Sequence, residues 1–209
     1  MPGPTPEFWN ARFAEPELAY GDAPNDFLAE FASRLPIGRT LCLAEGQGRN
    51  AIFLAELGHD VLAVDLSEVG LNRAQDVATR RGVTIRTEVA DLGAYTIEPE
   101  AWDTIVSIFA HVPADARRRL HAQIAQGLKP GGAFILEAYT PAQAPRTTGG
   151  PGVQAIDITM TAQGLREEIA GLDIEHLQEL ERTVIEGPYH TGAAAIVQML
   201  AWKSPTPAR

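Results

Sequence analysis

Short apolar runs rich in branched side chains alternate along this chain with segments whose apolar residues recur every three or four positions. That alternation predicts βαβ units wound around a largely parallel sheet. The first helix begins near Asn25, where Pro24-Asn25-Asp26 supplies start signals, and Phe27, Leu28, Phe31 and Leu35 follow at helical spacing until Pro36. Thr40 to Leu43 reads as strand one, and a glycine-rich turn leads from it into a helix from Arg49 to Leu57 that stops at Gly58. Asp60 to Val64 reads as strand two; Ser67 then caps a helix that runs to Arg81 and closes at Gly82. Strand three is Val83 to Val89, strand four Thr104 to Phe109 and strand five Ala133 to Tyr139. Between the last two, a helix from Ala114 to Leu128 ends in a sharp turn, Lys129-Pro130-Gly131-Gly132. After Tyr139 the rhythm changes. A Pro/Gly/Thr-rich stretch from Pro141 to Gly152 gives way to a helix around Thr161 to Ala170. Two strand-like runs follow, Ile174 to Ile185 and Ala193 to Lys203, joined across Gly187-Pro188 and Gly192 as an antiparallel pair.

With 209 residues the chain builds one sizeable core, so residues 1–209 read as a single domain. Its parts are an N-terminal segment (1–36), a ligand-binding core (37–140), an acceptor-side loop with the terminal strand pair (141–203), and a Pro-containing tail (204–209) that is expected to fray. A net charge of −10 repels phosphate backbones and anionic bilayers, which argues against nucleic acid and membrane surfaces as partners. Arg117, Arg118 and Arg119 do not alter this, because consecutive helical residues point in different directions. The single cysteine, Cys42, lies in an apolar run; no intrachain disulfide or thiolate zinc site is available, no metal is expected, and a reducing, cytoplasmic setting follows. Met1 to Pro6 lacks the basic and apolar parts of a signal peptide, and the longest apolar run, Ala193 to Trp202, is short of the ~20 residues that span a bilayer. Monomer and homodimer are both compatible with a chain of this size.

The turn after strand one reads Leu43-Ala44-Glu45-Gly46-Gln47-Gly48-Arg49-Asn50-Ala51. Gly46, Gly48 and Ala51 satisfy the G-x-G-x-x-G/A pattern of dinucleotide sites, and Asp65 stands 19 residues after Gly46, where a ribose-binding acid is expected. Glu45 opposes that reading: a carboxylate at the mouth of the turn would repel a pyrophosphate by roughly 4 kcal/mol at ~4 Å and an effective dielectric of about 20. The same carboxylate suits S-adenosylmethionine (SAM), which carries an ammonium and a sulfonium and no phosphate. Asp65, at the carboxyl edge of strand two, is placed either to accept both ribose hydroxyls or to cap the helix that follows. Asp91 stands at the next carboxyl edge, as an adenine contact or a turn residue.

The chain resembles class I SAM-dependent methyltransferases, in the branch of tellurite-resistance and thiopurine-type enzymes. The resemblance is carried by Phe8-Trp9-Asn10-Ala11-Arg12-Phe13, Tyr20 to Leu28, Leu43 to Asn50, Ala63 to Ser67, Ile105 to His111 and Leu128 to Gly132. It implies an α/β fold with a doubly wound, seven-stranded, mostly parallel Rossmann-like sheet whose last strand is antiparallel. It further implies that Ala44, Glu45, Gly46 and Gly48, with Asn50 beside them, hold the methionine part of SAM. Asp65 and Leu66, followed by Ser67, hold the ribose; Asp91 and Leu92 hold the adenine; and Phe109 touches the cofactor through its backbone. The commoner pattern has an acid where this chain has Cys42 and Gly-Cys where it has Ala44-Glu45, so Glu45 stands in for the missing acid at the SAM ammonium.

Methyl transfer from a sulfonium is an in-line displacement, and alignment supplies much of its acceleration without a catalytic side chain. If the acceptor must lose a proton, His111 after strand four, with an expected near-neutral pKa, and His190 in the final loop are the candidate bases. The alternative for each is a packing role. Trp9, Arg12 and Tyr20 belong to a segment that closes over the site in the resembling family; Tyr139, Arg146 and Tyr189 border the acceptor side. The expected activity is methyl transfer to a small-molecule acceptor such as a thiol or chalcogen oxyanion, with S-adenosylhomocysteine as product. An NAD-dependent oxidoreductase and a non-catalytic SAM-binding protein remain as alternatives.

Overall fold

The computed structural model describes residues 5–144 and 158–205. Strands β1 (Arg39–Leu43), β2 (Asp60–Asp65), β3 (Arg86–Val89), β4 (Trp102–Ile108), β5 (Leu128–Tyr139), β6 (Asp173–Ile185) and β7 (Thr191–Trp202) form one sheet in the order β3-β2-β1-β4-β5-β7-β6. The first five run parallel, and β7 is antiparallel to both β5 and β6. The helices are α1 (Pro6–Phe13), α2 (Asp26–Phe31), α3 (Arg49–Glu56), α4 (Glu68–Arg80), α5 (Ala114–His121), α6 (Ile124–Gly127) and α7 (Ala162–Glu168). Among the described residues no helix is long and apolar enough to cross a membrane.

Period-two alternation along the strands builds two apolar layers. Leu41, Leu43, Ile105, Phe134 and Leu136 face Leu120, Ile124 and Leu165 of α5, α6 and α7. Cys42, Ala63, Val106 and Ile135 face Phe27 and Leu28 of α2, Ala51 and Leu54 of α3, and Leu71 and Ala74 of α4. Strand order reverses at β1, between β2 and β4, which opens a crevice at the carboxyl ends of those strands, where open α/β sheets bind ligands.

Four expected elements differ from those observed. The helix expected to run to Leu35 ends at Phe31 and continues as a 3-10 turn, Ala32–Arg34. β3 begins at Arg86 rather than Val83, because the Val83 amide donates to Ala78 O at the end of α4 and so is used in closing that helix. The helix expected from Ala114 to Leu128 is two helices, interrupted at Ala122 and Gln123, where the Gln123 side chain accepts from Ile97 N and donates to Tyr95 O. The sharp turn at Lys129 to Gly132 is a bulge within β5: Gly131 takes φ +80° and its amide donates to Lys203 O, the Lys203 amide donates to Gly132 O, and the register with β4 jumps from Trp102 opposite Leu128 to Thr104 opposite Ala133. Arg117 pairs with Glu168 of α7 and Arg118 with Asp115, so these two arginines of α5 are separately engaged. Of the tail, 206–209 lie outside the described residues.

Gly48 combines φ +87° with an ideal Cβ position 2.6 Å from Ala74 Cβ, whereas Gly82 has φ +75° and open space around it. Gly48→Ala therefore meets both backbone strain and collision, and is expected to cost about 2–3 kcal/mol, against about 1 kcal/mol for Gly82→Ala. Urea midpoints at unchanged slope measure both; equal losses would mean that α4 yields to the added methyl.

Candidate functional site

The turn after β1 is held by two carboxylates. Asp65 Oδ2 accepts from Gly46 N and Oδ1 from Ser67 N, each at 2.8 Å. Glu45 Oε1 accepts from Asn50 N at 3.0 Å and Ala51 N at 2.8 Å, so this acid caps the amino end of α3, whose N-cap residue Gly48 has no side chain to do so. Burial, opposed by these amides and by Arg49, pushes the Glu45 carboxyl up to about 7. Burial likewise raises Asp65 above its usual range. Ala44 (φ +54°) and Phe109 (φ +52°) are non-glycine residues held left-handed at the carboxyl ends of β1 and β4. Such strain concentrates at ligand sites.

These elements wall a cavity of about 660 Å³. Of the residues singled out from sequence, Trp9, Arg12, Tyr20, Ala44, Glu45, Gly46, Gly48, Asn50, Asp65, Leu66, Asp91, Leu92, Phe109, His111, Tyr139 and His190 line it. Ser67 is not among the cavity-lining residues; its hydroxyl caps α4 through Gly70 N and donates to Asn10 Oδ1. Nor does Tyr189 line the cavity: its ring lies 3.6 Å beneath the Arg12 guanidinium, and its hydroxyl donates to the Glu15 carboxylate at 2.7 Å. Arg146 lies outside the described residues. Asp91 accepts from Gly93 N at 2.7 Å as a turn residue and still borders the cavity.

The N-terminal segment sits on the turn. The ring of Phe13 lies where a Cβ on Gly46 or Gly70 would be, 2.8 Å away in each case, so both glycines are required for it to seat. Gln47 accepts from Ala19 N at 2.8 Å and donates to Phe13 O, while Arg73 donates to Phe13 O and Pro16 O.

His111 departs from the near-neutral pKa expected of it. Burial, then the charges of His190 and Arg117, bring it down to about 3; its Nε2 accepts from Tyr139 N at 3.5 Å, and its ring stacks on Tyr139 at 5.0 Å. It is neutral at physiological pH and a weak base.

Sequence reading missed a buried polar cluster beside the cavity. Glu186 Oε2 accepts from Arg49 and from His190 Nδ1, each at 2.7 Å, and its Oε1 accepts from Asn25 at 2.9 Å and Arg182 at 3.2 Å. Burial alone would raise the Glu186 carboxyl; the His190 hydrogen bond and the Arg49 charge outweigh it and hold the group far below the usual carboxylate range. Asn25 also donates to Glu137, which Arg182 and Gln198 reach from β6 and β7. Three buried atoms of cavity-lining residues have no hydrogen-bond partner among the described residues: Arg49 Nη1, Tyr139 Oη and His190 Nε2. Arg49 was findable, standing at the first helical position after the glycine turn; Glu186 gives no local sequence signal.

Residues 41–132 match the family described as "Methyltransferase domain". Among curated proteins, the chain is 26% identical over 141 residues to the 2-heptyl-1-hydroxyquinolin-4(1H)-one methyltransferase of Mycobacteroides abscessus, an alignment covering 66% of this chain and 62% of that protein. The chain thus spans less than two thirds of the length of the curated relatives it first matches. Among solved structures, TehB from Haemophilus influenzae superposes with a TM-score of 0.71 at 18% identity, over 95% of this chain and 66% of that one. The [4+2]-cyclase SpnF does so with a TM-score of 0.68 at 16% identity, over 99% and 98%. Residues 41–132 are thus similar to a methyltransferase domain, and the fold of the chain is the one shared by solved SAM-dependent methyltransferases. The similarity reaches both the Mycobacteroides methyltransferase in sequence and TehB in fold.

Glu45 gives a direct check on the turn. Its folded pKa is raised from 4.5 to about 7, so the stability linked to its protonation is full below about pH 4.5 and lost as pH rises through about 7. Glu45→Gln keeps the Oε1 acceptor and removes the charge. Relative to the parent, the ligand-free variant is expected to gain roughly 2–3 kcal/mol between pH 5 and pH 8 by urea unfolding. A pH-independent difference would mean that Glu45 is already solvated in the folded protein.

Proposed function

We propose that this protein transfers a methyl group from SAM to a small, ring-bearing thiol or related acceptor in the cytoplasm. The observation that carries this reading over a dinucleotide enzyme is the capping of α3 by Glu45. The amides of Asn50 and Ala51, which a pyrophosphate would need, are already occupied by an internal carboxylate. The same end of the cavity suits an amino-acid zwitterion: the Glu45 Oε2 side for the ammonium, and the unpartnered Arg49 Nη1 for the carboxylate. Each Asp65 oxygen keeps a lone pair for a ribose hydroxyl, and Asp91 and Leu92 border the position for the adenine.

When bound, SAM supplies an electrophilic methyl group on a sulfonium. The chain's own part is to align the acceptor and exclude water. Phe8, Trp9, Phe13, Tyr20, Phe109 and Tyr139 present aromatic walls to the cavity, which favours a flat, largely apolar acceptor. The quinolone named for the Mycobacteroides relative is such a molecule. A chalcogen oxyanion fits these walls less well, because Arg12 lies over the Tyr189 ring, and Arg49 pairs with Glu186 through one nitrogen and serves the SAM carboxylate with the other.

Calorimetric titration with SAM, S-adenosylhomocysteine and NADH tests the cofactor. The first two are expected to bind and NADH not to, with Glu45→Gln and Asp65→Asn each weakening SAM by about tenfold or more, the scale of one lost charge-assisted hydrogen bond. Binding of NADH alone would overturn the reading. Binding of SAM with no methyl transfer to thiophenols would favour a non-catalytic role.

A further inference from the structure

Methyl transfer to a neutral acceptor releases a proton, and the cavity holds a group built to take it. We infer that His190, oriented by Glu186, is the base that deprotonates a hydroxyl or thiol acceptor, with the Tyr139 hydroxyl positioning the reacting atom. This deepens the methyl-transfer reading and rests on it.

The geometry has four parts. His190 Nδ1 lies 2.7 Å from Glu186 Oε2, so Nδ1 carries the proton and Nε2 is left with its lone pair. Nε2 is buried and without a hydrogen-bond partner among the described residues, an arrangement that is costly unless a ligand completes it. The His190 ring meets Phe109 edge-to-face, 4.3 Å between centroids, and so lies one ring away from the strained residue that ends β4 at the cofactor crevice. The Tyr139 ring is 5.4 Å from that of His190, and its equally unpartnered hydroxyl is held protonated by burial and by the charge of Glu186. Tyr139 is therefore a donor and His190 Nε2 an acceptor, the pair that a hydroxyl or thiol satisfies at once.

His111, the other imidazole in the cavity, is excluded from this role. Its Nε2 is occupied by the Tyr139 amide, and its environment disfavours the cation that proton uptake would create. At His190 the adjacent Glu186 stabilises that cation. Arg49 and Arg182 share the carboxylate and fix its position, which makes Glu186 a positioning residue, not a catalytic one.

In the step itself, a lone pair on the acceptor heteroatom forms the bond to the methyl carbon. The carbon–sulfur bond breaks, and its electron pair neutralises the sulfonium as a thioether. The acceptor's proton passes to His190 Nε2, and from there to water after the products leave. No oxidant, reductant or metal is involved.

The test compares acceptors that differ in acidity: 4-nitrothiophenol, already ionised at pH 8, and a series of un-ionised phenols. His190→Gln is expected to lose 10²–10⁴-fold in kcat with the phenols, the range of a general base, and at least a hundredfold less with the thiolate. Glu186→Gln should lower kcat with phenols while leaving their KM within about twofold, since it acts through His190 rather than on the acceptor. The wild-type enzyme supplies a control independent of folding: a solvent deuterium isotope effect with phenols and none with the thiolate. Equal losses for both acceptor classes in His190→Gln, or no isotope effect with phenols, would overturn the base while leaving methyl transfer intact. SAM binding by wild type with no methylation of either class would overturn the methyl-transfer reading itself.

Discussion

The seating of backbone amides on two buried carboxylates is the interaction on which the rest of the structure depends. Asp65, at the end of β2, pins Gly46 of the neighbouring turn and Ser67 at the start of α4; Glu45 pins the first free amides of α3. Together they tie the carboxyl ends of two adjacent parallel strands to the helices that leave them. Without these bonds, the left-handed residues Ala44, Gly46 and Gly48 would face several unsatisfied donors in a low-dielectric environment, a state that a folded domain does not tolerate. The turn that results is acidic where dinucleotide sites are neutral or positive. The proposed preference for a cofactor without phosphates rests on that acid before any side chain of the far wall is considered.

A second buried network lies beside the cavity at His190. Glu137 and Glu186 are balanced by Arg49 and Arg182, with Asn25 bridging the two acids and Gln198 completing one. Such clusters contribute little net stability, because desolvation offsets attraction, but removing one member leaves an uncompensated charge. Their effect is geometric. Asn25 belongs to the cap of α2, Arg49 to α3, Glu137 to β5, and Arg182 and Glu186 to β6 and its end. The network makes the position of His190, on a loop, depend on four elements of the scaffold.

The βα core was legible in sequence because each element is local: strand ends, caps and glycine stops lie within a few residues of what they control. Ser67, Asn25 and Thr161 cap the expected helices. What could not be read depends on long-range pairing. β3 is short because Val83 is drawn into the end of α4, and the turn at Gly131 remains within β5 because Lys203, 72 residues later, supplies its partner. The cavity lining at the ends of β1, β2 and β4 was legible for the same local reason, since its residues cluster at strand ends. Glu186 was not: its partners Asn25, Arg49 and Glu137 are distant in sequence, and nothing about an isolated Glu-Gly-Pro triplet signals them. Glu45 was assigned to a ligand from its sequence position, whereas its first partner is the helix it caps. Its Oε1 is turned to the backbone of α3, and the residue still borders the cavity.

The similarity to SpnF shows why the site must be argued apart from the fold: a protein solved as a cyclase shares this architecture across nearly the whole chain. An aromatic cavity beneath a clasped N-terminal segment serves any reaction that needs an organised, water-poor space. The proposal of a proton-releasing transfer rests on something narrower. A cyclisation that moves no proton has no use for an imidazole lone pair backed by a carboxylate and left unpaired in a dry wall, and a pocket serving only such a reaction would be expected to fill that position with an apolar residue. The Glu186–His190 pair is the feature that a purely conformational catalyst would lack.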